Sequence, residues 1–249
     1  MAVEETGKDI QLICARSNDE ADKMKYNSVS TGTFISRPNR FIAKVEIGGK
    51  VETVHVKNTG RCRELLIEGA KVVLEKSPNP DRKTPFDLIS VYKGSRLVNI
   101  DSQVPNAVVA ESLPSLGIIP GLRTIRREVT YGNSRFDIYA EGDRNCFIEV
   151  KGVTLEDDGV VLFPDAPTER GVKHVKELEE AAKDGYDTYI MLLVQMSDVK
   201  YFIPNYATHR EFGEALEHAS QNGVHILCYD CEVTEDSISM GKPVEVRFR

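Results

Sequence analysis

Between residues 28 and 100, apolar and polar side chains alternate with a period of two, the spacing of half-buried strands. The runs Phe41-Ile-Ala-Lys-Val-Glu-Ile47 and Val51-Glu-Thr-Val-His-Val56 flank Gly48-Gly49, which predicts a hairpin. Lys71 to Glu75, Phe86 to Tyr92 and Arg96 to Ile100 continue the series. About five or six short strands within roughly 70 residues predict a small closed β-barrel, and both an OB-like and an SH3-like barrel satisfy that count.

Beyond Asp101 the period changes to alternating helices and strands. A short helix opens at Pro105-Asn106 and runs to about Leu113, where Pro114 is expected to end it. Strands follow at Thr124 to Tyr131, Arg135 to Ala140 and Cys146 to Lys151, with Gly132-Asn133 as the first turn. A helix over Thr168 to Lys183 carries Val172, Val175, Leu178 and Ala182 as one stripe and stops at Asp184-Gly185. The strand Thr188 to Gln195, a helix from Arg210 to Ser220 and the strand Val224 to Tyr229 complete the order αβββαβ, then αβ. The expected organisation is a flexible extension over 1–27, a barrel domain over 28–103 and a mixed α/β domain over 104–249.

The 249 residues are 41% apolar and 29% charged, enough to bury a core without disulfide or metal staples. No apolar run approaches the roughly 20 residues that cross a bilayer, and the acidic first segment is unlike a signal peptide. A cytoplasmic protein without membrane contact is expected. Five cysteines without such a signal suggest reduced thiols, and Cys228-x-x-Cys231 lacks the second pair that a zinc site needs. The net charge of −7 excludes a surface built throughout for nucleic acid. It is unevenly spread: Ser36 to Arg96 holds 13 Lys and Arg against 7 Asp and Glu, so this segment is +6 and the remainder −13. A polyanion can therefore lie on one face.

The sharpest chemical signal is Ser134-Arg-Phe-Asp137 followed by Cys146-Phe-Ile-Glu149-Val-Lys151, an acid, eleven intervening residues and an acid-x-Lys. Strand positions i and i+2 share a face, so Glu149 and Lys151 point together while Ile148 and Val150 enter the opposite layer. With Asp137 facing away from Phe136 and Ile138, a hairpin brings it beside Glu149. Two close carboxylates repel unless a cation lies between them, and hard oxygen donors select Mg²⁺ or Mn²⁺. Asp137 and Glu149 are the expected metal ligands, and Lys151 would orient an attacking water and offset charge on a phosphodiester. A salt-bridged Glu149–Lys151 pair at a strand end fits the same spacing. Asp165 or Thr168 can cap the next helix, where Arg170, Lys173 and His174 at i, i+3 and i+4 form either a phosphate clamp or a solvated face. His55, His209, His218 and His225 lack metal-ligand spacing.

The order αβββαβ with acids on its second and third strands resembles the PD-(D/E)XK nuclease core over about Pro105 to Tyr229. In that superfamily an acid on the first helix often joins the metal site. Glu111 holds the matching position, which also suits a solvated helix carboxylate, and Phe136 replaces the usual proline before the aspartate. More specifically, the chain is similar to the sugar fermentation stimulation proteins, the SfsA family. The carrying segments are Arg37-Pro-Asn-Arg-Phe41, Asn58-Thr-Gly-Arg61, Ser77-Pro-Asn-Pro-Asp-Arg-Lys-Thr84, Glu149-Val-Lys-Gly-Val-Thr-Leu155 and Phe163-Pro-Asp-Ala-Pro-Thr-Glu-Arg-Gly-Val-Lys-His174. Lys57 departs from a usual Pro and Gly152 from a frequent Ser.

That resemblance implies an N-terminal OB-like barrel, a restriction-endonuclease-like αβββαβ core with a mixed sheet, DNA binding, and a regulatory role in sugar, notably maltose, metabolism. On the barrel, Arg37, Arg40, Asn58, Arg61, Arg82 and Lys83 would hold nucleic acid, DNA being the expected partner, joined by Arg135, Arg170, Lys173 and His174. The Asn, Gly and Pro residues among them also read as turn formers. With no Trp, and with Phe41 and Phe86 read as core aromatics, no base-stacking platform is expected. Two functional readings result: a metal-dependent nuclease using Asp137, Glu149, Lys151 and Glu111, or a non-catalytic DNA-binding regulator that keeps the nuclease fold as a surface. A sugar- or nucleotide-metabolite enzyme is the third.

Overall fold

In the computed structural model, residues 10–12, 23–58 and 60–249 are described. Most of the extension expected over 1–27 lies outside them. The backbone of β1 (Ile10–Leu12) pairs with the C-terminal sheet, and so does β2 (Met24–Lys25). Residues 24–27 are thus built into the fold rather than flexible: Tyr26 is buried and its hydroxyl accepts from Asn99 Nδ2 at 2.8 Å.

The alternating segment forms β3 (Val29–Asn39), β4 (Ile42–Ile47), β5 (Lys50–Val56), β6 (Lys71–Lys76), β7 (Phe86–Lys93) and β8 (Arg96–Asn99). The strands lie in the order β5-β4-β3-β6-β7-β8, and parallel pairing of β5 with β7 at His55↔Asp87 and Val56↔Leu88 closes β3 to β7 into a five-stranded OB barrel. The Gly48-Gly49 hairpin is present, with φ of 57° and 80°, values that favour glycine. Register shifts at Phe34/Ser36 and Ser36/Asn39 bend β3, so that its first half pairs with β6 and its second with β4. Phe34, Val45, Val54, Leu74 and Leu88 fill the interior. Phe41 does not: it stands in the β3–β4 turn, 54% exposed, because Asn39 Oδ1 accepts the N–H groups of Phe41 and Ile42 and holds the turn out from the barrel. Phe86 packs half-buried against the core.

The second half contains α1 (Pro105–Leu116), β9 (Thr124–Tyr131), β10 (Ser134–Glu141), β11 (Cys146–Val153), β12 (Leu155–Asp157), β13 (Val160–Phe163), α2 (Glu169–Lys183), β14 (Asp187–Val194), β15 (Tyr201–Pro204), α3 (Arg210–Gln221), β16 (Val224–Val233) and β17 (Ser237–Pro243). Its eight-stranded mixed sheet runs β1-β9-β10-β11-β14-β16-β17-β2. Val108, Val109 and Leu113 of α1 cover one face, over Ile138, Ile148, Met191 and Leu193. Val172, Val175 and Leu178 of α2, with Phe212 and Leu216 of α3, cover the other, over Phe136, Phe147, Ile190 and Leu192. Helix α1 does not stop before Pro114. The proline lies inside its last turn, and the helix ends at Gly117 with φ of 64°.

The outer side of the barrel joins this domain, where Val73 and Ile89 enter the α1-side core with Tyr26 and Val104. Lys93 and Arg96 hold the buried Glu156 at 2.6 and 3.0 Å, and Gln195 Nε2 donates to Asn99 Oδ1 at 2.8 Å. Cys228 and Cys231 are free and buried on opposite sides of the sheet, so they share no metal site. Among the described residues no helix is long and apolar enough to cross a membrane.

Candidate active site

Strand β11 brings the chemistry to the point where the sheet opens. The β10–β11 ladder runs from Ala140↔Cys146 to Ile138↔Ile148, and the next opposed pair is Asp137 and Glu149. Here β10 also pivots: Phe136 packs on the α2 side while Ile138 packs on the α1 side, and Glu128, the opposing residue on β9, takes φ of 58°. Strict alternation would have put Phe136 and Ile138 on one face. The Asp137 carboxylate fills the gap by accepting Val150 N–H at 2.8 Å and Asn106 Nδ2 at 2.8 Å. A buttress of aromatic rings, Phe136, Phe147 and Tyr131, packs beneath with centroid separations of 5.1 to 6.3 Å.

Glu149 is buried beside it. Its Oε1 accepts Lys151 Nζ at 2.5 Å and also contacts His174 Nδ1, whereas Oε2 is buried without a hydrogen-bond partner. Arg170 Nε donates to His174 Nε2 at 3.3 Å, which leaves Nδ1 as the protonated ring nitrogen facing the carboxylate. Burial alone would raise Glu149, but the contacts with His174 and Lys151 overcome it and hold the carboxyl below its ordinary range. Asp137 is pushed up, first by burial and then by the Glu149 charge, against the opposing pull of Val150 N–H, Lys151 and Asn106. Two coupled carboxylates and an unpartnered buried oxygen make a donor set that suits a hard divalent cation.

The other sequence candidates divide. On α1 it is Asn106 that reaches Asp137. Glu111, five residues on, lies roughly 140° around the helix and is half-buried on another side. Asn106 was missed because a neutral amide carries no charge signal. The side chains at 170, 173 and 174 do not make one clamp: Arg170 is exposed, Lys173 donates to Asn133 O at 2.8 Å, and His174 is a buried partner of Glu149. Thr168, not Asp165, caps α2, accepting Gly171 N–H at 3.0 Å. Asp165 instead accepts Arg61 N–H at 3.2 Å, tying the domain to the barrel loop.

On the barrel, Arg37 is a structural clamp. Its guanidinium donates to the carbonyls of Arg40, Asn58, Gly60 and Arg61 at 2.7 to 2.9 Å. Asn58 shapes the same loop, accepting Gly60 N–H and donating to Ile100 O. Arg82 is engaged by Asp87 through two contacts of 2.8 and 2.9 Å. Arg40, Arg61, Lys83 and Arg135 remain exposed. Between the domains lies a cleft of about 310 Å³, walled by Asn58, Gly60 and Ser102 on one side and by Gly152, Phe163 and Asp165 on the other. Gly152 follows Lys151 directly. A Cβ there would meet Gln195 Oε1 at 2.5 Å and Pro105 Cγ at 2.9 Å, which explains glycine at this position.

An OB barrel docked on an αβββαβ domain, with an acid pair and a lysine at the sheet opening, defines a two-domain class of protein. The chain matches the family model of the SfsA N-terminal OB domain over residues 35–100 and that of the sugar fermentation stimulation protein RE domain over 103–237. It belongs to the SfsA family. It is 58% identical over 226 residues to a sugar fermentation stimulation protein homolog of Desulfitobacterium hafniense strain Y51, covering 90% of this chain and 99% of the relative. The homolog of Ruminiclostridium cellulolyticum is 56% identical over 226 residues, covering 90% and 100%. The structure of Pyrococcus furiosus SfsA in complex with Ca²⁺ superposes with a TM-score of 0.81 at 26% identity, over 90% of this chain and 98% of that one.

Proposed function

We propose that this chain binds nucleic acid, DNA being the expected target, and hydrolyses phosphodiester bonds with Mg²⁺ or Mn²⁺. The observation that carries this reading is the buried, unpartnered Oε2 of Glu149 beside Asp137. A buried carboxylate oxygen left without a donor is costly unless a cation takes it, and a surface meant only to hold a polyanion gains nothing from paired acids. Asp137 and Glu149 would hold the ion, and the Ca²⁺ complex of the P. furiosus relative supports a divalent cation in this fold. When bound, the cation supplies Lewis-acid polarisation of the phosphate. Lys151, held 2.5 Å from Glu149, positions an ammonium to orient water and offset the charge that grows in the transition state. Asn106 and Val150 N–H fix Asp137, while His174 fixes Glu149. The four described cysteines are free thiols, which supports a reducing, cytoplasmic setting.

The test is incubation of end-labelled single-stranded and duplex DNA and RNA with Mg²⁺, Mn²⁺ or EDTA. Wild type should cut only with metal, and Asp137→Ala and Lys151→Ala should each lower the rate at least 100-fold. Retention of oligonucleotides without cutting in either metal would leave the DNA-binding regulator as the function.

A further inference from the structure

The turn at the end of β3 and the loop after β5 surround a depression of about 450 Å³ that is lined by Arg40, Arg61 and Arg63, with Arg37, Cys62 and Leu66 behind them. Arg37 builds it. By donating to Arg40 O on one side and to Asn58, Gly60 and Arg61 carbonyls on the other, it fastens the turn to the loop. Arg40, Arg61 and Arg63 are exposed, and among the described residues no carboxylate forms an ion pair with any of them. Elsewhere in this chain of net charge −7, arginines commonly face acids: Arg82 has Asp87, Arg96 has Glu156 and Arg144 has Asp187. Three unmatched guanidinium groups around one hollow attract an anion of matching spread. Phe41, next in chain to Arg40, adds an exposed aromatic face on a turn held by Asn39 Oδ1.

The hollow adjoins the interdomain cleft. Gly60 lines both this depression and the interdomain cleft, whose opposite wall includes Gly152, the neighbour of Lys151. A Cβ at Gly60 would meet Asp165 Oδ2 and Asn58 Oδ1, each at 2.8 Å, so only glycine lets the loop approach Asp165 this closely.

We propose that the depression is the docking site of an unpaired nucleic-acid strand, with a base stacked on Phe41, its phosphates on Arg40, Arg61 and Arg63, and the chain led over Gly60 towards Lys151. An aromatic face can stack only on a base whose own face is free, which a duplex interior does not offer. The inference rests on the nucleic-acid reading above and names its substrate class.

Fluorescence anisotropy with labelled single-stranded DNA, single-stranded RNA and blunt duplex DNA, in EDTA so that nothing is cut, tests it. Wild type should bind a single strand at least tenfold more tightly than the duplex. Phe41→Ala should weaken single-strand binding about tenfold, Phe41→Tyr should restore it, and neither should change duplex binding. Arg63→Gln should weaken single-strand binding and lower its salt slope by about 0.7. Thermal unfolding of each variant at the wild-type midpoint verifies folding. Duplex preference, or a Phe41→Ala variant that binds single strands like wild type, overturns the site while leaving the nucleic-acid reading standing; failure to bind any of the three probes overturns both. Strand binding that depends on Phe41 without later cleavage upholds the site and removes only catalysis.

Discussion

At the scale of single residues the acid pair sets the stability of the site. Asp137 has a folded pKa raised by burial and by Glu149, so folding costs more as pH rises through the ordinary carboxyl range towards the folded value, and the penalty persists at neutral pH. Asp137→Asn removes that charge, keeps an acceptor for Val150 N–H, and offers its amide N–H to Asn106, whose own amide turns over to present Oδ1. In EDTA at pH 7 the variant should melt higher, by about 2–4 °C for each kcal/mol relieved in a chain of this size, and the gain should vanish below about pH 4. Calorimetry across pH 4 to 8 measures it, and an equal or lower midpoint at pH 7 would contradict the assigned repulsion. Asp137, Glu149 and Lys151 were legible in the sequence because their charges interrupt apolar strands at a period of two. The role of His174 was not, since helical spacing groups it with Arg170 and Lys173 but does not say that it turns inward to Glu149. Phe41 was read as core for a related reason: its alternation continues into a turn that only the Asn39 and Arg37 hydrogen bonds hold outward.

At the scale of elements, α2 matters because it carries His174 to the sheet opening. Its first turn is closed by the Thr168 hydroxyl on Gly171 N–H. Thr168→Ala should cost about 1 kcal/mol in urea unfolding and increase amide exchange in the first turn, whereas Asp165→Ala should leave that turn protected because Asp165 caps nothing. The order αβββαβ followed from periodicity, and the barrel from strand density and the Gly-Gly turn. The small sheet of β12, β13 and β15 did not, because strands of three or four residues span too few positions to show a period. Pro114 misled for a local reason. It lies three residues before Gly117, so the helix loses a donor only in a turn that is about to end.

At the scale of the whole molecule, charged contacts and a shared core join the barrel to the mixed α/β domain. Glu156 meets opposing influences: burial raises its pKa, but Lys93, Gly159 N–H and Arg96 together lower it by more, so the folded value ends depressed. A depressed carboxyl gives stability that is present above its unfolded pKa, about 4.3, and is lost as pH falls through the folded value. Glu156→Gln should therefore cost about 1–2 kcal/mol at pH 7, discounted for the partial exposure of both cations, and the difference from wild type should shrink towards zero in strong acid. Urea titrations at pH 7 and pH 3 would check both limits. The sequence alone determined a strand-rich barrel half, an αβββαβ half and the acid-x-Lys motif, because each is written in local period, turn residues and charge along one strand. Only the tertiary structure decided that Arg37 and Arg82 are internal clamps, that Asn106 and His174 hold the two acids, that Arg40, Arg61 and Arg63 surround one hollow, and that Phe41 stands exposed on the turn beside it. Those facts depend on contacts between segments far apart in the chain, and which partner a side chain meets there is set by packing and register rather than by its neighbours in sequence.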